Sequence, residues 1–156
     1  MDTSVINFLF AEDAPEKQEV TIDFFDNYVQ TNLYEVLVSS VVVDEINKTT
    51  DEIKRSELLG VVQKFSLGLL PIEDKLSEIE DLAFAYLDAK IIPAKKLEDA
   101  LHVAITCVFE LDVLLSWNYK HLANIHKEAR ILALNLNLGY TKPFKMLSPY
   151  QLVYEQ

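Results

Sequence analysis

The chain has 156 residues, half of them apolar and a quarter charged, the size and usage of one globular domain with an ordinary core. Its 25 Asp and Glu outnumber 14 Lys and Arg for a formal net charge of −11. That balance excludes a non-specific coat for nucleic acid, because neutralising phosphate needs clustered cations. A single cysteine excludes an intramolecular disulfide scaffold, and three glycines with five prolines are too few for a loop-dominated β-sandwich.

No basic segment leading into an apolar run opens the chain, and no apolar run approaches the roughly 20 residues of a membrane span. The stretch 36–43 is short and is interrupted by Ser39 and Ser40. The expectation is a cytoplasmic protein with no membrane partner.

In chain order, a first helix is expected over about 4–11, and Pro15 opens a second through Tyr28, with Phe24, Phe25, Tyr28 and Val29 at helical spacing. YEVLVS (34–39) is short and β-branched and reads as a buried strand. Ser40 offers an N-cap for a helix over 41–48, and another helix follows over 51–65, with a turn near Gly68 and Pro71. Leu76, Ile79, Leu82, Ala83 and Tyr86 mark an amphipathic helix that ends before Pro93. Leu97, Leu101, Ala104 and Val108 stripe the next helix, with Asp99 and His102 off that stripe on a shared side. VLLS (113–116) is a second buried strand. A helix through 131–138 ends at Gly139, a C′ glycine, and a final strand over 144–147 precedes a helical turn at Ser148-Pro149.

Short buried strands alternating with helices predict an α/β fold with a parallel sheet covered on both faces. Ligands in such sheets bind beyond the carboxyl ends of the strands. Asp2 opens the chain, Glu45 follows the first strand by about a helical turn, Asp99 lies in the helix before VLLS, and Asn118 comes just after it. Each alone has an ordinary structural explanation: N-cap, solvated helix residue, first-turn acid, turn residue. As a set they place three carboxylates and an amide at one end of the sheet. Converging carboxylates raise one another's pKa unless a cation intervenes. All-oxygen donors select Mg²⁺ or Mn²⁺, and the chemistry that follows is phosphodiester hydrolysis by a metal-activated water. His102, His121, His126 and Cys107 lack zinc-ligand spacing, and there is neither a Gly-rich phosphate loop nor a GxSxG elbow.

Four blocks in order carry a resemblance: DTSVINFLF (2–10), SSVVVDEI (39–46), EDALHVAI (98–105) and DVLLSWNYKHL (112–122), with a closing SPYQLVY (148–154). They are similar to the PIN-domain family, in particular the VapC-like branch of bacterial toxins and related nucleases, over nearly the whole chain. The third and fourth blocks are the specific ones. The resemblance implies a single PIN-like domain over 1–156, a three-layer α/β/α sandwich with a short parallel central sheet. It implies a Mg²⁺- or Mn²⁺-dependent endoribonuclease of toxin–antitoxin type that leaves a 5′-phosphate and a 3′-hydroxyl. Asp2, Glu45 and Asp99 inherit the metal-ligand role, Glu45 rather than Asp44 by the alignment alone. Asn118 stands where the family commonly has Asp, offering an oxygen to the metal or its water without charge. RNA as substrate, a small antitoxin protein and homodimerisation follow from the same resemblance. The aromatic residues Phe24, Phe25 and Tyr28 add a reason for the dimer, or else pack within one core.

Ser4 and Ser116 either orient acidic ligands or cap and pack locally. Lys120 and His121 either touch substrate phosphate or begin a solvated helix. Trp117 stacks on a base or is partly buried. Only Met1 precedes Asp2, whereas the family's first acid ends a central strand of about five or six residues. The first strand is therefore expected to be truncated, and the natural polypeptide to begin several residues upstream with an apolar segment. A reading from another class also stands: a PIN-like module with weakened catalysis, acting as a binding or scaffold protein.

Overall fold

In the computed structural model, which describes residues 1–118 and 124–155, the chain forms two compact units, Met1–Pro71 with Pro149–Gln156 and Ile72–Ser148. Both mix helices with short parallel strand pairs, as an α/β sequence pattern predicts.

In the first unit, α1 (Thr3–Phe8) starts at Asp2, whose side chain caps it. Helix α2 (Pro15–Phe24) begins on a proline, whose missing N–H costs nothing at a first position, and runs directly into a π-helical turn at Phe25–Val29. That turn lets Phe24 and Phe25, adjacent in sequence, both enter the core at 1% and 0% exposure. Their rings meet edge-on at 5.4 Å, and Phe25 meets Phe65 at 4.7 Å. The aromatic surplus expected to favour a dimer is, for these two rings, absorbed within the unit.

Strand β1 (Leu37–Val38) pairs in parallel with β2 (Gly68–Leu69), Leu37 opposite Gly68. A Cβ on Gly68 would lie 2.5 Å from Leu37 Cδ2, so the strands approach over a glycine, and the expected turn at this position is a strand. Only two residues of the expected 34–39 strand pair, because 31–35 are exposed. Helix α3 (Ser40–Asn47) takes its N-cap one residue earlier than expected, at Ser39. Helix α4 (Glu52–Lys64) is capped by Asp51, which accepts from the N–H groups of Ile53 and Lys54 at 3.0 Å. The closing helix α8 (Pro149–Tyr154) packs on α2: Tyr28 donates to the Val153 carbonyl at 3.3 Å and Tyr154 to Asp23 Oδ2 at 3.0 Å.

The second unit is built around α6 (Leu97–Val108), in which Ala100 and every residue from 102 to 108 are buried. A helix apolar on nearly all sides belongs in the interior, and His102 is drawn in with it at 4% exposure rather than remaining off the buried stripe. A 3₁₀ turn (Glu73–Lys75) leads into α5 (Leu76–Asp88), which packs along α6 through Ile79, Ala83 and Tyr86. Strand β3 (Val113–Leu115) pairs in parallel with β4 (Lys145–Leu147). Between them in sequence lies α7 (Ile125–Asn137), whose buried Glu128 accepts from the Met146 N–H at 2.8 Å and from Lys145 Nζ at 3.3 Å, tying helix to strand. Tyr86 donates to Asn135 Oδ1 at 2.7 Å and lies 3.4 Å from Cys107 Sγ, while Asn135 Nδ2 donates to that sulfur at 3.1 Å. This closed triangle satisfies three polar groups inside an apolar core. No helix among the described residues is long and apolar enough to cross a membrane.

Candidate acidic site

In the first unit Asp2 is 4% exposed and sits at the N-cap of α1 in extended backbone, φ −88° and ψ 173°. Its Oδ1 accepts from the Ser4 N–H at 3.1 Å and the Ser4 hydroxyl at 2.5 Å. The cap of α1 is thus Asp2 itself, and the Ser4 hydroxyl donates to it. The Met1 ammonium donates to the Leu37 carbonyl at 2.8 Å, which joins the start of the chain to β1. Burial holds that ammonium below its ordinary value, at about 6, with the Asp2 carboxylate pulling it upward.

Thr3 Oγ1 and Ser39 Oγ are buried and have no hydrogen-bond partner among the described residues. Thr3 follows Asp2 directly, and Ser39 lies two residues beyond Leu37. An unsatisfied buried hydroxyl costs about 1–3 kcal/mol, so each is a place where a water would lower the free energy. On α3, Val42 and Ile46 face the core, which leaves Glu45 half-buried and Asp44 exposed. Of the two neighbouring acids, Glu45 is therefore the one drawn towards protein.

In the second unit Asp99 stands in the first turn of α6 and Asn118 just beyond β3. Asn118 Nδ2 donates to Asp99 Oδ2 at 3.2 Å, and the Asn118 N–H donates to Ser116 Oγ at 2.9 Å. The buried Ser116 hydroxyl thus fixes the backbone that carries the amide, so the third and fourth sequence blocks meet. Trp117 between them is 5% exposed, which places its ring in the core. Lys120 and His121 lie outside the described residues.

Lys127, in the first turn of α7, is a neighbour that sequence reasoning missed. Burial lowers its ammonium's pKa, while the Asp99 carboxylate raises it and Arg130 lowers it further. Nothing in the sequence near Asp99 signals this pairing; it arises from the placement of α7, whose N-cap Asn124 accepts from the N–H groups of His126 and Lys127 at 3.0 and 3.3 Å.

Among the described residues, no three His, Cys, Asp or Glu side chains are gathered so as to hold a metal ion. The candidate ligand on each unit is nevertheless a carboxylate: Asp2, accepting from Ser4, and Asp99, accepting from the Asn118 amide. That chemistry fits a hard, hydrated cation such as Mg²⁺ or Mn²⁺ and does not fit zinc. Comparison of the chain with family models, with curated proteins and with solved structures finds no match.

Proposed function

We propose that the protein is a Mg²⁺- or Mn²⁺-dependent nuclease of PIN-like, three-layer α/β/α type that hydrolyses phosphodiester bonds in RNA. The observation that carries this reading is the pairing of Asp99 with Asn118, far apart in sequence and 3.2 Å apart in space. Those are the positions the two most specific blocks of the resemblance assign to an acidic centre. Asp2, Glu45 and Asp99 are the candidate cation ligands. When bound, a divalent cation supplies a water of lowered pKa and neutralises charge at phosphorus. Asp2 is held for such a role by Ser4, and Asn118, anchored through Ser116, offers an amide that orients water or steadies Asp99. RNA as substrate, a small inhibitory protein partner and a homodimer belong to the same reading.

The test is Asp99→Asn with Mn²⁺ and a labelled single-stranded RNA. The variant should keep its melting temperature in chelator and lose divalent-dependent cleavage. Wild-type cleavage by the variant sinks the assignment.

The neutral Asn118, donating to Asp99 where a second carboxylate would add charge, favours one other reading: a binding or scaffold module with weakened catalysis. A Mn²⁺ titration separates the two. A nuclease binds the ion and loses affinity on Asp99→Asn, whereas a scaffold shows no such dependence.

A further inference from the structure

A surface cavity of about 500 Å³ in the second unit lies where α5 ends and α7 begins. Its accessible apolar lining is Leu87, Pro93 and Ala94, and its charged lining is Lys90, Lys127 and Arg130 against a single acid, Asp88. In a chain with 25 acids and 14 Lys and Arg, three cations facing one acid reverse the prevailing sign. The lining is positioned rather than scattered. Arg130 reaches across to the Ala89 carbonyl at 3.3 Å. Lys90 occupies a helix C′ position at φ +53°, a conformation that glycine adopts at lower cost. Lys127 lines the cavity and stands in the first turn of α7, whose N-cap Asn124 accepts from its N–H at 3.3 Å.

We propose that this cavity is a nucleotide-binding subsite, in which Lys90, Lys127 and Arg130 hold a backbone phosphate of single-stranded RNA and the apolar lining at Leu87, Pro93 and Ala94 carries the adjoining sugar or base. A lining that combines apolar side chains with three cations matches a nucleotide, which presents a flat apolar face beside a charged phosphate. The subsite deepens the nuclease reading and rests on it for the identity of the ligand.

The test measures binding of a fluorescein-labelled single-stranded RNA, in buffer with Ca²⁺ in place of Mg²⁺, by wild type, Lys90→Gly and Arg130→Gln. Each variant should weaken binding on the order of tenfold, the loss of one charge-assisted contact, and flatten the salt dependence by about 0.7 in log–log slope. Lys90→Gly should do so while raising the melting temperature, because glycine relieves the positive φ; a merely structural lysine would not separate the two. Unchanged RNA affinity in both variants overturns the subsite, as does inorganic phosphate competing as tightly as the oligonucleotide, which would make the cavity a simple anion pocket. Binding that depends on Lys90 and Arg130 without any cleavage in Mn²⁺ supports the subsite while removing the nuclease reading. Cleavage that is Asp99-dependent, with binding indifferent to both cations, does the reverse.

Discussion

Asn118 is the residue at which the chain's chemistry turns. As an amide it donates to Asp99, so the pair is stable without a cation. Asn118→Asp would set two carboxylates at that separation. In chelator their repulsion lowers stability, and with Mn²⁺ the added charge and harder ligand raise affinity. Calorimetry on both proteins checks this, and equal Mn²⁺ affinity would place residue 118 outside the coordination shell. The Tyr86–Asn135–Cys107 triangle makes a second prediction. Asn135→Leu removes the acceptor of the Tyr86 hydroxyl and the donor to the sulfur. A buried polar group left short of partners costs about 1–3 kcal/mol, to be read as a lowered urea midpoint; an unchanged midpoint would mean the core repacks around Leu. At this scale the sequence was informative where chemistry is local. The capping acid at the start of α1 was legible, because capping is short-range. The Asp99–Lys127 neighbourhood was not, since it depends on where a later helix begins.

Four helices end in the same way. In each, the C″ N–H bonds back to the C3 carbonyl: Leu67 to Val62 at 3.0 Å, Ile91 to Tyr86 at 3.1 Å, Leu111 to Thr106 at 2.9 Å and Tyr140 to Asn135 at 2.9 Å. This closure puts the C′ residue at positive φ, and the four residues there are Ser66 (50°), Lys90 (53°), Glu110 (53°) and Gly139 (92°). Only glycine occupies that region without a Cβ penalty. Glu110→Gly and Ser66→Gly should therefore each stabilise the protein by about 0.5–1 kcal/mol, and Gly139→Ala should destabilise it by a similar amount. Denaturant melts of the three variants decide the point, and a shared sign would refute the strain argument. The same pattern explains what could be seen in advance. Gly139 announced its helix end, whereas the ends at Ser66, Lys90 and Glu110 carry no glycine and had to be inferred from the next breaker. Strands β1, β3 and β4 were legible as short apolar runs, but not their length, nor the partner of β1. Whether a run pairs over two residues or six is decided by the partner strand, and β2, opening on Gly68, does not resemble a strand at all.

Over the whole molecule, pattern and composition foretold the mixed helix and strand character and the parallel pairing. Of the candidate site, Asp99 beside Asn118 is what the structure brings together, within one unit; side-chain convergence is a property of packing that periodicity does not encode. Charge is the other global property. With a net charge of −11, raising the pH adds negative charge to an already repelling chain, so a fall in stability with alkali is expected on general grounds. A buried thiol adds a separable part. Burial raises the Cys107 pKa above its ordinary value, against the opposing hydrogen bonds of Tyr86 and Asn135. In the unfolded chain the thiol ionises near about pH 8.5, while in the native protein it stays protonated beyond that point. The unfolded state then binds fewer protons, so the contribution of Cys107 is complete below that pH and is lost as the pH rises through the native thiol's value. Tyr86, also raised by burial, acts with the same sign above about pH 10, where an unfolded tyrosine begins to ionise. Melting temperatures of wild type and Cys107→Ala between pH 7.5 and 9.5 isolate the thiol below the tyrosine range. Wild type should fall more steeply with pH than the variant, even though the variant starts lower for want of its polar triangle. Parallel slopes would show that the thiol ionises at the same pH folded and unfolded, and that surface repulsion accounts for the whole alkaline loss.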